Sequence, residues 1–110
     1  MNSQTRQILF LLLAVIGLVS TWYHNLQFMA ENGTSLLAFI QALEVNHATQ
    51  SIARDISVVF LAFALWVPFE ARRTGVRHWW AFIVFGATIA LAFTFPLFLY
   101  FRERRLAQAA

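Results

Sequence analysis

The sequence predicts an all-α membrane protein with three transmembrane helices plus one short in-plane or re-entrant helix. Three observations carry that prediction. The chain of 110 residues is 60% hydrophobic and only 12% charged, against the roughly 25% charged residues of a typical soluble domain. Its apolar residues gather in three long runs, each approaching the roughly 20 residues a helix needs to cross about 30 Å of hydrocarbon. No ten-residue alternation recurs, which a membrane barrel would require. The length fits a single domain, residues 1–110.

The first span is expected over 8–30, "ILFLLLAVIGLVSTWYHNLQFMA". Arg6 before an apolar core resembles the start of a signal peptide. The run continues through Trp22 to Phe28, so it is read as a retained span. Gly33 ends that helix, and Thr34 or Ser35 can cap a new one. Leu36, Phe39, Ile40 and Leu43 then recur at helical spacing, opposite Gln41 and Glu44. Residues 34–46 are too short to cross and suit a helix lying in the membrane plane or packed on the bundle.

The second span is expected over 55–71, "DISVVFLAFALWVPFEA", with a start that can extend back toward Gln50. The third is expected over 78–101, "HWWAFIVFGATIALAFTFPLFLYF". Pro68 and Pro96 each remove a backbone donor and free the carbonyl four residues earlier, at Ala64 and Ala92. The predicted consequence is a bend in each helix. Trp66, Trp79 and Trp80 then mark one boundary of the bilayer, and Trp22, Tyr23 and Tyr100 the other, because amphipathic rings prefer the headgroup level.

The formal charge is +3, and every basic residue is an arginine. These arginines bracket apolar runs and form no solvated basic face, which argues against nucleic acid as a partner. They suit headgroup contacts of a lipid bilayer instead. With three crossings, Arg6, Arg72, Arg73 and Arg77 fall on one side and Arg54, Arg102, Arg104 and Arg105 on the other. The positive-inside rule then ties. The lack of basic residues just after the first span favours a cytoplasmic N-terminus, and the bacterial cytoplasmic membrane is the expected location. With no cysteine, thiolate metal sites are excluded. His24, His47 and His78 have no metal-ligand spacing, so no metal and no cofactor is expected.

Polar groups near lipid must find partners and therefore face the bundle interior. Thr21, His24 and Asn25 share one helical face. Arg54 and Asp55 begin the second span at the same depth, and a crossing third span would deliver Thr94, Tyr100, Arg102 and Glu103 there. Two readings follow. One is a ligand pocket or proton site with Asp55 as acid and His24 as relay. The other is interhelical glue, with Asp55 paired to Arg102 or Arg54. Glu70 sits two residues after Pro68, and Arg73 lies one turn on at the i,i+3 spacing. Asp55 and Glu70 are 15 residues apart, about 22 Å along a helix, too far to act on one substrate atom.

The segments "TWYHNLQF", "LLAFIQALEVN", "ARDISVVFLAFALWVPFEARR" and "PLFLYFRER" resemble a small bacterial and cyanobacterial membrane family catalogued as domain of unknown function 2834. The resemblance covers most of the chain, implies a three-span fold and brings no activity with it. A slighter likeness, resting on Pro68 with Glu70, is to the three-span halves of bacterial carotenoid cyclases. The expected function is a non-catalytic accessory or lipophilic-ligand-binding subunit in the bilayer, with a protein partner or a second copy. The enzymatic alternative is a membrane isoprenoid cyclase using one carboxylate acid. The candidate binding residues are Thr21, His24, Asn25, Asp55, Glu70, Arg73 and Arg102.

Overall fold

A computed structural model describes residues 1–109. Five helices follow in order: α1 (Ser3–Asn32), α2 (Leu36–Ala42), α3 (His47–Thr74), α4 (Trp79–Thr88) and α5 (Leu91–Ala109). There is no strand among the described residues. Two helices, α1 and α3, are long and apolar enough to cross a membrane. The sequence predicts three, and the difference lies entirely in the third apolar run.

Each boundary has a local cause. Asn2 accepts from the Thr5 backbone N–H and caps α1. Gly33, with φ of 81°, ends it in a region open to glycine. Ser35 caps α2 by accepting from the Ala38 N–H. With seven residues, α2 spans about 10 Å and cannot cross. Asn46 and Thr49 form a reciprocal capping box at the start of α3, and Gly75 closes α3 in the left-handed region.

The third run is not one long helix. It breaks at Ile89 and Ala90 and returns as a helical hairpin. Phe82 and Phe98 would be about 24 Å apart in a continuous helix, yet their ring centroids lie 5.3 Å apart. Gly86 likewise faces Thr94, whose hydroxyl lies 3.0 Å from where a Cβ would stand. The turn meets the backbone demands of an apolar setting. Ile89 and Ala90 both donate to the Phe85 carbonyl, and the Ala90 carbonyl accepts from the backbone N–H groups of Phe93 and Thr94 and from the Thr94 hydroxyl. The Ile89 carbonyl accepts from the indole of Trp22 at 2.9 Å.

Consequently α5 runs antiparallel to α1 and parallel to α3. Against α1, Glu103 meets Arg6, Ala92 meets Gly17 and Ile89 meets Trp22. Against α3, Phe95 meets Phe63, Phe98 meets Trp66 and Arg102 meets Glu70. The first series pairs residues at a nearly constant sum of positions, the second at a constant offset, as straight packed helices require. The α1–α5 contact is the most extensive in the fold. It depends on Gly17, because a Cβ there would stand 2.1 Å from the Ala92 carbonyl oxygen. That is the carbonyl Pro96 releases from the helix ladder, so its free side is covered by the bare backbone of Gly17.

The core lies between α3 and the hairpin: Phe63, Val67, Ala71, Phe82 and Phe98 are buried. On α3 the buried positions Phe63, Val67, Glu70 and Ala71 fall on one helical face. The outward faces are apolar as well, with Leu12, Ile16 and Val19 on α1 and Val58, Leu61 and Leu65 on α3 all more than half exposed. A water-soluble monomer rarely presents an apolar surface on this scale. Hydrocarbon surroundings accommodate it, and there helix association relies on close packing and polar contacts more than on apolar burial.

Candidate functional site

The hairpin divides the expected polar cluster into two sites at opposite ends of the bundle. Because α5 returns, Arg102 and Glu103 lie beside the end of α3 and the start of α1. The expectation that they join Asp55 is corrected by the same turn, and Tyr100 moves with them. The α3-end carboxylate Glu70 is 8% exposed. Its Oε1 lies 2.6 Å from Arg73 Nη2 and 2.6 Å from Arg102 Nε, and its Oε2 accepts from Arg73 Nε at 3.1 Å. The local Arg73 partner follows from helical spacing, while Arg102 arrives from 32 positions away.

Glu103, 6% exposed, accepts from Arg6 Nε at 2.8 Å and lies 2.7 Å from Arg6 Nη2. The hydrogen bond from Arg6 holds its carboxyl below the usual carboxylate range, against the opposing pull of burial and with a smaller contribution from Ser3. Both buried carboxylates at this end are thus matched by guanidiniums, and no buried side-chain polar atom among the described residues lacks a partner. Paired arginines of this kind tie three helices together, and removing one partner leaves a charge stranded.

A wide cleft of about 1160 Å³ extends from the opposite end along the bundle as far as Phe10 of α1 and Leu99 of α5. Residues of α1, α2, α3 and both helices of the hairpin line it. Trp22, Phe39, Ile56, Phe60 and Ile89 give it apolar walls, and Thr21, Asn25, Asp55, Ser57 and Thr88 give it polar groups. Phe39 of α2 packs edge-on against Phe28 of α1 at 5.3 Å, which places α2 along the cleft. The Thr21 hydroxyl donates to the Gly17 carbonyl at 2.7 Å and the Ser57 hydroxyl to the Ala53 carbonyl at 2.7 Å.

The seven candidate residues therefore separate. Thr21, Asn25 and Asp55 line the cleft. Glu70, Arg73 and Arg102 form the ion-pair cluster at the other end. His24 is exposed beside Tyr23, ring edge to face at 5.2 Å, and is not part of the cleft wall. The pairing of Asp55 with Arg54 or Arg102 is also corrected. Arg54 pairs instead with Glu44, Nη1 to Oε1 at 2.6 Å, and the hydrogen bond from Arg54 draws the Glu44 carboxyl below its usual range.

Sequence reasoning missed three residues: Trp22 at the hairpin tip, Gly17 at the α1–α5 crossing, and Arg6 as the partner of Glu103. Trp22, expected at a membrane boundary, lies 16 residues from Arg6, about 24 Å along α1, with its N–H committed to Ile89. A signal for Arg6 existed. A glutamate two positions past an apolar run needs a cation if it is buried, and the arginine at the start of the chain is one.

No group of three or more histidine, cysteine, aspartate or glutamate side chains that could hold a metal occurs among the described residues. Comparison with curated proteins and with solved structures returns no match. The family profile described as protein of unknown function DUF2834 matches residues 9–104. With nearly the whole chain covered, including both long helices, the short α2 and the hairpin, the protein belongs to that family.

Proposed function

We propose that this chain is a small integral membrane protein of the bacterial cytoplasmic membrane that holds a lipophilic molecule and has no catalytic activity of its own. The observation that carries the reading is the cleft of about 1160 Å³ between α1, α3 and the hairpin tip. Sites for drug-sized molecules are typically about 300–1,000 Å³, so this one suits a long apolar molecule. Its few polar groups, Thr21, Asn25 and Asp55, favour a single hydroxyl or amine at one end of that molecule. The outer faces of α1 and α3 are left to lipid, to a second copy or to a protein partner.

The acid-catalysed alternative loses Glu70 on chemical grounds. A carboxylate shared between Arg73 and Arg102 has no proton to give to an alkene, and it lies outside the cleft. An enzymatic reading would rest on Asp55 alone.

The test is to purify the protein in mild detergent, extract it with organic solvent and identify the extract by mass spectrometry. A single enriched lipophile, lost in Ile56→Trp where the new ring fills the cleft, is the expected result. An extract identical to that of an unrelated membrane protein would overturn the proposal. Chemical conversion of the lipophile by wild type but not by Asp55→Asn would overturn its non-catalytic part.

A further inference from the structure

A second, smaller hollow lies between α4 and α5 at the arginine end, with a volume of about 350 Å³. Phe82, Phe85, Phe93 and Leu97 form its apolar wall, while Arg77, His78 and Arg105 stand among its lining residues. Arg77 lies in the loop before α4 and Arg105 near the end of α5, and both line the hollow.

The charge at this end is unbalanced in a specific way. Turning α5 back places Arg6, Arg72, Arg73, Arg77, Arg102, Arg104 and Arg105 together, leaving Arg54 alone at the other end. The two carboxylates here, Glu70 and Glu103, are already engaged by Arg73, Arg102 and Arg6. Arg77 and Arg105 are exposed and have no carboxylate partner among the described residues. Trp79 and Trp80, two and three residues after Arg77, carry side chains that favour the headgroup level. A cationic mouth at that level, opening on an aromatic trough, complements an amphiphile with an anionic head and an apolar tail.

We propose that the α4–α5 groove seats one anionic phospholipid of the surrounding bilayer. Its phosphate sits with the Arg77 and Arg105 guanidiniums, and the upper part of an acyl chain lies along Phe82, Phe85 and Phe93. Arginine suits this role because its planar fork can bond two phosphate oxygens at once. The inference shares the membrane setting of the proposed function and is independent of what occupies the large cleft.

The test is mass spectrometry of the intact protein released from detergent micelles containing equal amounts of dioleoyl phosphatidylglycerol and dioleoyl phosphatidylcholine. Wild type should retain phosphatidylglycerol over phosphatidylcholine by about tenfold or more, because two guanidiniums meet the anionic headgroup. The preference should shrink with added salt before release. It should fall to near parity in Arg77→Gln/Arg105→Gln and persist in Arg72→Gln/Arg104→Gln, which removes equal charge from the same end without touching the groove. Arg77→Lys/Arg105→Lys should retain part of it, which also serves if the glutamine pair fails to fold.

No preference in wild type would overturn the proposal. So would equal loss in both glutamine pairs, which would mark diffuse surface charge. Abolition of the preference by millimolar inorganic phosphate at constant ionic strength would overturn it in favour of a soluble anion. The cleft-filling Ile56→Trp should leave the preference unchanged. If that variant removes it, the lipid resides in the large cleft and the groove assignment fails, whatever the fate of the lipophile there.

Discussion

The indole N–H of Trp22 donates to the carbonyl oxygen of Ile89 at 2.9 Å, across 67 positions of sequence. This bond fastens the tip of the α4–α5 hairpin to the middle of α1. Ile89 caps α4, and the Phe93 N–H that would continue a helical ladder to its carbonyl donates to Ala90 instead, so that carbonyl needs a donor from elsewhere.

Trp22→Phe keeps most of the packing volume and deletes only that donor. The expected loss is about 1 kcal/mol of resistance to unfolding by sodium dodecyl sulfate, in line with a single polar contact between membrane helices. Trp80→Phe, on an exposed ring, serves as the control and should change little. Equal behaviour of the two variants would show that the tip does not depend on the indole.

Gly17 predicts a steric effect. A Cβ there would lie 2.1 Å from the Ala92 oxygen and 2.5 Å from its carbonyl carbon, both backbone atoms that cannot rotate away. Gly17→Ala should therefore part α1 from α5 and cost about 1–3 kcal/mol. Gly33→Ala meets nothing within 4 Å and acts at a turn, so it should leave the α1–α5 distance unchanged. Spin labels on the ends of α1 and α5, read by pulsed electron resonance, would register the separation. An unchanged distance in Gly17→Ala would refute the tight crossing.

The legible part of this fold and the hidden part differ for a physical reason. α1 and α3 announce themselves because a long apolar run in lipid satisfies its backbone groups as helix. α2 shows through Ser35 and the spacing of Leu36, Phe39 and Ile40. The hairpin stays hidden because "FGATIALAFTFP" has only two threonines among apolar residues and no glycine or proline at Ile89 or Ala90. A span and a hairpin have the same composition there. What decides between them is long-range: Glu70 and Arg6 await partners, and only a returning α5 brings Arg102 and Glu103 to both. Thr21, Asn25 and Asp55 share a depth set by α1 and α3 alone, whereas His24, grouped with them by helical spacing, is exposed and off the cleft wall.

The Glu70 cluster predicts a coupling that spans the fold. Glu70→Ala should cost about 2 kcal/mol, between the roughly 3–5 of a fully buried pair and the 1 or less of an exposed one. Arg102 is 26% exposed at its side chain, which justifies the intermediate figure. In a double-mutant cycle Glu70 and Arg102 should couple clearly. A coupling near zero would mean that Arg73 alone satisfies the carboxylate.

Glu103 makes stability depend on pH. Arg6 lowers its proton affinity in the folded state, so the unfolded chain binds the proton more readily. The contribution is fully present above the usual carboxylate range and disappears as pH falls through the lower folded value. Wild type should lose more stability over that acidic window than Arg6→Gln does, measured by detergent-induced unfolding at stepped pH. Parallel curves for the two proteins would disprove the linkage.

The hairpin breaks the arginine tie that three crossings leave. With seven arginines at one end and only Arg54 at the other, the positive-inside rule predicts that the Arg6, Arg105 and Arg72–Arg77 end faces the cytoplasm. The chain contains no cysteine, so single cysteines can be read without background. Ser51→Cys, exposed at the Arg54 end, should react with a membrane-impermeant maleimide added to intact bacterial cells. Gln108→Cys and Thr74→Cys should react only after the cells are opened. If α4 and α5 formed one crossing helix, Gln108→Cys and Thr74→Cys would lie on opposite faces and label under opposite conditions. Matching behaviour at these two positions is therefore the decisive result for the returning hairpin, and labelling of both in intact cells would reverse the orientation while preserving the fold.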